Sequence, residues 1–468
     1  MKKILLLLMI PVSAFSQKNY PALLDNFMRS EANVRNFNGN VLVARGGKVI
    51  YQKSFGYSNY EKKTPLNANS VFELASVSKQ FTAMGILLLR DKGKLKLTDS
   101  LRQYFPELPY HNISIQQLLN HTSGLPDYQE AMTGKWDTTK VAFNKDMIQF
   151  LAKEQPPLYF APGTKWEYSN TGYAILASII EKVSGKSFKD FLQQQIFTPL
   201  GMTHSRIYNT RRSLKETIPN YALGYVLNEE TGNYQLPDSI PSYSFVYWLD
   251  GIQGDGVVNS TVGDLLLWNR ALMNHRLISE KSQKEMLSAQ ATIDTAGKKY
   301  YGYGQILGTN EIGEYFMHTG GWPGYHTVLF QYLKDDVTII VLSNNESDAG
   351  MLAGPLAYIL NGLPVVTPAK HQAIAADTSS YKNLAGWYSI PAYPTPAKVQ
   401  LMQKEGKLFY KNQSGTRVIE LIPESANSFY TNTPVDIQFR FDKQPGGDYK
   451  AYFIIYSMEK EMTKLPNP

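Results

Sequence analysis

Strand patterns sit at both ends of one long stretch of this chain, and helical patterns fill the middle. Residues 40–51 alternate around Gly46-Gly47, the signature of a hairpin. Much later, residues 301–307 and 314–319 read as strands flanking a Gly/Asn turn, and residues 326–333 and 337–343 flank Lys334-Asp335-Asp336. The simplest layout is one antiparallel sheet closed by both chain ends, with helices on its faces, an α/β (α+β) architecture.

The helical patterns begin at residues 22–34. Phe81, Met84, Leu87 and Leu88 recur at helical spacing, and Gly93 closes that run. Ser114-Ile115-Gln116-Gln117 opens a short helix with a capping-box pattern. Leu176, Ile179, Ile180 and Val183 mark an amphipathic helix ending near Gly185, and residues 259–272 read as another. Residues 219–256 are loop-rich and aromatic. Two readings stay open there, a wall of a substrate cleft or an irregular, partly buried surface.

Residues 363–380, rich in proline, alanine and polar residues, read as a linker. Beyond it come short alternating runs at 399–401, 408–410, 418–421, 429–430, 437–441 and 449–456, with turns at 412–415 and 444–447. Regular short strands predict a sandwich or small barrel over 381–468. The division expected is a leader over 1–16, a first domain over 17–362, the linker, and a C-terminal β domain.

With net charge +7 and no dense Lys/Arg block, the chain is not expected to bind nucleic acid. It has no cysteine, which excludes disulfides, a thiol nucleophile and thiolate metal sites. No His-Glu-x-x-His occurs, and His318 with His326 do not have zinc-ligand spacing, so no metal is expected. Lys2-Lys3, the apolar run of residues 4–10 and Ala14-Phe15-Ser16 read as an export signal cleaved after Ser16. No later apolar run is long enough to span a bilayer. The expectation is an exported protein, periplasmic or secreted, without stable membrane insertion.

Ser76-Val77-Ser78-Lys79 lies at the head of the Phe81–Leu88 pattern. Residues three apart on a helix share a face, so the hydroxyl and the amine can meet. The helix start adds free N–H groups and a positive dipole end, which suit a developing oxyanion. The spacing alone does not select Ser76, because Ser379–Lys382 and Ser457–Lys460 repeat it. Tyr168-Ser169-Asn170 is likewise one of several Tyr-x-Asn copies, whereas His318-Thr319-Gly320-Gly321, at a predicted strand end, occurs once. Glycines there let a substrate backbone lie along the strand edge. His121 reads as a structural histidine at a helix end, where imidazoles sit well against the last carbonyls.

In that order the three motifs resemble those of the serine penicillin-recognising enzymes. A tyrosine opening the second motif makes the chain similar to class C β-lactamases, serine D-alanyl-D-alanine carboxypeptidases and related esterases. Leu119-Asn120-His121-Thr122-Ser123-Gly124-Leu125, Pro162-Gly163-Thr164 and Pro199-Leu200-Gly201-Met202 agree with the group. The likeness covers roughly residues 35–345. It implies a β-lactamase/transpeptidase-like domain with a helical subdomain, and the tail resembles the lipocalin-like barrel appended to many members. One departure stands out. β-Lactamases of this group usually carry Lys-Thr-Gly where this chain has His318-Thr319-Gly320.

The resemblance implies an acyl-enzyme on Ser76, with Lys79, Tyr168 and His318 catalytic, and no cofactor. Either Lys79 or Tyr168 takes the serine proton, with Lys79 and His318 favouring the phenolate. Asn170 is expected to bind the acyl amide or orient Lys79. Asn170, Thr319 and Gly320 are expected to contact substrate, and the backbone N–H groups of Ser76 and Gly321 to form the oxyanion hole. The expected substrate is a small peptide of D-Ala-D-Ala type or an ester, cell-wall derived in the first case. The alternatives are a β-lactamase or a non-catalytic penicillin-binding protein on the same fold.

Overall fold

The computed structural model describes residues 19–209, 217–392, 395–412, 417–433 and 435–466. The expected leader and residues 413–415 of the predicted turn lie outside them.

An eight-stranded antiparallel sheet forms the first body. From one edge it runs Ala291–Asp294, Lys299–Tyr301, Ile306–Thr309, Glu314–Trp322, Tyr325–Tyr332, Val337–Ser343, Gly39–Arg45, Lys48–Phe55. The first strand of the chain therefore pairs with the last strand of the sheet, Val41 opposite Val341 and Leu42 opposite Ile340. The predicted closure by both chain ends holds. The predicted strand at 301–307 does not. Gly302, Tyr303 and Gly304 turn the chain there, with Gly304 at φ +74°. The alternating apolar pattern runs straight through that turn.

Alternation along the central strands gives the sheet two apolar faces. Val41, Val43, Ile339 and Val341 pack against helices Tyr20–Val34 and Ala349–Leu360. Leu42, Ala44, Ile340 and Leu342 join the larger core on the other face. At its centre lies helix Lys79–Asp91, buried at every position from Lys79 to Leu89. Helix Asn170–Ser184 packs beside it, with Ile180 against Gly85, where an added methyl would come within 2.8 Å of the Ile180 Cδ1. The two motif-bearing helices are thus locked to each other and to the sheet.

Residues 386–464 close into a second, eight-stranded antiparallel barrel. Leu401, Leu408, Leu421, Phe429, Phe439 and Phe441 fill its interior as a packed core. Two of its strands, Gly386–Ile390 and Met458–Lys464, were not legible as alternating runs. The stretch expected as a linker is tied down at several points. Val365 bridges Met458, Val366 donates to the Ser457 carbonyl, and Ile374 donates to that of Pro423. Arg35, just past the first helix, pairs with Glu31 at 2.7 Å and with Asp436 of the barrel.

Candidate active site

Ser76 does not sit on the α-helix. It lies in a 3-10 turn, Ala75–Ser78, that runs directly into helix Lys79–Asp91. Ala75 enters this turn at φ +47°, a left-handed conformation that costs an alanine about 1–2 kcal/mol. Buried bonds hold it there. Thr327 Oγ1 donates to the Leu74 carbonyl at 2.7 Å, and the Val258 N–H donates to Ser78 Oγ at 3.1 Å. A strained backbone just ahead of a nucleophile is a recurrent feature of working sites.

Lys79 is wholly buried, and three acceptors surround its amine: Ser76 Oγ at 3.0 Å, Asn170 Oδ1 at 2.9 Å and the Asp255 carbonyl at 2.8 Å. Three acceptors around one buried amine replace the water lost on burial. Of the two roles expected for Asn170, the structure shows the orienting one. Asn170 is the first residue of its helix, whose cap, Ser169, accepts from the Gly172 N–H.

The strand Glu314–Trp322 passes beside the Ser76 turn. An ideal Cβ on Gly320 would lie 2.1 Å from the Leu74 carbonyl oxygen and 3.1 Å from the Ser76 nitrogen, so only glycine allows this approach. Gly321 faces open space, and it and Ser76 both line the cleft. Thr319 shares its strand face with Gly321 and carries its methyl toward Gly350.

The Tyr168 ring lies 4.8 Å from the Lys79 amine, and its hydroxyl is buried without a hydrogen-bond partner among the described residues. His318 lies behind it, rings 6.2 Å apart, touching neither serine nor lysine. A carbonyl can only accept, so His318 Nδ1–H donates to the Thr319 carbonyl at 2.7 Å. Nε2 then accepts from the Tyr301 hydroxyl at 3.1 Å. Burial first, and Lys79 second, push the His318 pKa down to about 3. The imidazole is therefore neutral and adds no positive charge to favour a phenolate, contrary to the expectation. His121 also departs from its reading. Its φ of +62° swings the ring away from the helix end and into the core, where it packs 4.4 Å from the Tyr168 and Tyr301 rings.

The cleft, about 80 Å³, is open to solvent and lies between Ser76, Asn170, Gly321, Trp322, Tyr128 and residues 249–257. The aromatic loop thus contributes its last third to the wall. Tyr225 and Tyr234 pack instead against Tyr60. Asp255 serves twice, by its carbonyl to Lys79 and by its carboxylate, which accepts from Tyr128 at 2.8 Å. No sequence signal pointed to Asp255, because any residue type has a carbonyl. Val257, at φ +66°, is strained for a β-branched residue and lines the same wall. Among the described residues no acidic or histidine cluster could hold a metal ion, and no helix is long and apolar enough to cross a membrane.

The sequence pattern of the family described as Beta-lactamase matches residues 30–361. The chain belongs to the β-lactamase family. Penicillin-binding protein 4* of Bacillus subtilis (strain 168) is 41% identical to this β-lactamase-family chain over 428 residues, 90% of it and 93% of that protein. The D-amino acid amidase of Ochrobactrum anthropi SV3, solved with L-phenylalanine amide, is 25% identical. It superposes with a TM-score of 0.60 over 73% of this chain and 96% of the amidase. The octameric penicillin-binding protein homologue of Pyrococcus abyssi shares the fold over 94% of this chain and 99% of its own, with a TM-score of 0.64 and 24% identity. The family is one of serine hydrolases.

Proposed function

We propose that this chain is an exported serine hydrolase that opens amide or ester bonds of small substrates through an acyl-enzyme on Ser76. The observation that carries the reading is the 3.0 Å contact between the Lys79 amine and Ser76 Oγ, at the wall of an open cleft. Ser76 Oγ bonds to the substrate carbonyl carbon and its proton passes to Lys79 or Tyr168. The C–N or C–O bond then breaks, the amine or alcohol leaves with that proton, and water hydrolyses the ester left on Ser76. The Ser76 and Gly321 N–H groups take the developing oxyanion, each donor worth about 10²–10³ in rate.

The substrates proposed are peptides of D-Ala-D-Ala type, D-amino acid amides and small esters. The amidase likeness supports the amide reading. The neutral His318 supports a peptidase, amidase or esterase over a dedicated β-lactamase, since it offers no cation where those enzymes usually carry lysine. Export is read from residues 1–16 and is tested by the N-terminal sequence of the protein recovered outside the cytoplasm.

The test of the chemistry is labelling with a fluorescent penicillin and a fluorophosphonate, followed by mass spectrometry of the Ser76 peptide and a substrate panel. Wild-type protein is expected to gain one penicilloyl or one phosphonyl group on Ser76, and Ser76→Ala none. Equal labelling of the two overturns the reading.

A further inference from the structure

Tyr168 is gripped from both sides by one residue. The Glu167 N–H donates to the His121 carbonyl at 3.0 Å, and the Ser169 N–H donates to His121 Nδ1 at 3.0 Å. His121 thus binds the backbone immediately before and immediately after the phenol, with its ring against the phenol ring. Its own backbone is left-handed, and its side chain is fully buried.

The bond from Ser169 also fixes the tautomer. Nδ1 accepts, so the imidazole proton is on Nε2. That Nε2–H has no acceptor among the described residues, and neither the Tyr168 hydroxyl nor the Trp166 indole N–H has a partner. Three buried polar atoms gathered around one ring contact are left unpaired among the described residues, where most buried polar groups of a protein are bonded. The groups facing His121 are Lys79 from the central helix, Tyr168 with Trp166, Tyr173 from the next helix, and Tyr301 and His318 from the sheet. Tyr173 is already committed, donating to the Leu119 carbonyl at 2.7 Å, and Tyr301 bonds His318. Neither carries a negative charge, because burial pushes both phenols up.

We infer that His121 is the positioning residue of Tyr168, holding its backbone in place and keeping an Nε2–H donor available for the phenolate that forms when Tyr168 exchanges its proton with Ser76 and Lys79. Burial, with Lys79 second, pushes the His121 pKa well below the usual range. The ring therefore acts as a neutral donor and does not itself take up the serine proton. The assignment explains why the Tyr168 hydroxyl is left without a protein partner: a phenol locked to an acceptor could not pass its proton on. It also gives the phenolate a helper where the neutral His318 gives none.

This inference rests on the Ser76 reading, and one experiment separates the two. Acylation by a fluorescent penicillin is followed against pH for wild type, His121→Phe, Tyr168→Phe and the double variant, with folding checked by near-ultraviolet circular dichroism. His121→Phe is expected to slow acylation about 10–100-fold with little change in the half-saturating penicillin concentration. It should also move the alkaline rise of the rate to higher pH. In the Tyr168→Phe background it is expected to cost almost nothing more, because the two act as a unit. His121→Asn, which tolerates the left-handed backbone and keeps an amide donor, is expected to recover part of the rate, and carries the same cycle if the phenylalanine variant does not fold. An unshifted pH profile, or losses that multiply in the double variant, overturns the role of His121 while leaving Ser76 intact. Failure of wild-type labelling overturns the Ser76 reading instead.

Discussion

Gly320→Ala tests the geometry most directly. The added methyl would lie 2.1 Å from the Leu74 carbonyl oxygen and 2.3 Å from Thr327 Oγ1. Ordinary contact begins near 3.5 Å, so strand and nucleophile turn must part by about 1 Å. Neither neighbour yields easily, because they are bonded to each other at 2.7 Å. Overpacking of this kind costs about 1–3 kcal/mol, and a displacement of about 1 Å at reacting groups costs about 10² in rate. Gly321→Ala is the internal control, since no atom lies within 4 Å of its added methyl and the chain should fold as before. Thermal melting and the second-order rate of acylation by a fluorescent penicillin, measured on both variants, give the comparison. Gly320→Ala should melt several degrees lower and acylate about 100-fold more slowly, with Gly321→Ala near wild type in melting. A Gly320→Ala protein with wild-type melting and rate would refute the close approach of strand to serine.

Lys79→Met keeps the stem of the side chain and removes the amine. It is expected to fold and to lose acylation by about 10³-fold or more, read by labelling stoichiometry over time. The folded His318 takes up its proton only near pH 3, against 6.5 for the free ring, so the unfolded chain binds more protons in between. Stability should therefore fall as pH drops from about 6.5 toward 3, and His318→Gln should flatten that slope in melting temperatures taken across the range. Arg35→Ala removes a cation bonded to both Glu31 and Asp436. It should lower stability by about 1–3 kcal/mol in urea and speed proteolysis within residues 363–380.

What was legible in the sequence was whatever repeats with a period or depends on a side chain. The sheet closure could be read because Gly39–Arg45 and Val337–Ser343 are apolar on both faces and follow or precede clear turns. Ser76, Lys79, Tyr168 and Asn170 were singled out by the ordered motifs taken together, and the structure brings the four into one cluster. The setting of His318 could not be read, because its burial behind Tyr168 and its bond to Tyr301 come from the packing of sheet on helices. His121 was misread because nothing in the residue type announces a left-handed backbone, which a histidine adopts only when its surroundings enforce it. The Asp255 carbonyl was out of reach for the same kind of reason: its position comes from the path of the loop. The two missed barrel strands have little apolar alternation, and Met458–Lys464 carries charge at most of its exposed positions.

The pairing of Gly39–Arg45 with Val337–Ser343 has a consequence for how the protein is made. Ser76 leaves the ribosome early, and the strand carrying Gly321, Glu314–Trp322, leaves late. Until Glu314–Trp322 arrives Ser76 has no wall opposite it, and until Val337–Ser343 arrives the first hairpin has an open edge. A chain cut short anywhere in between carries the serine and the lysine yet owns no cleft. Acylation is therefore expected only of chains that extend past Ser343.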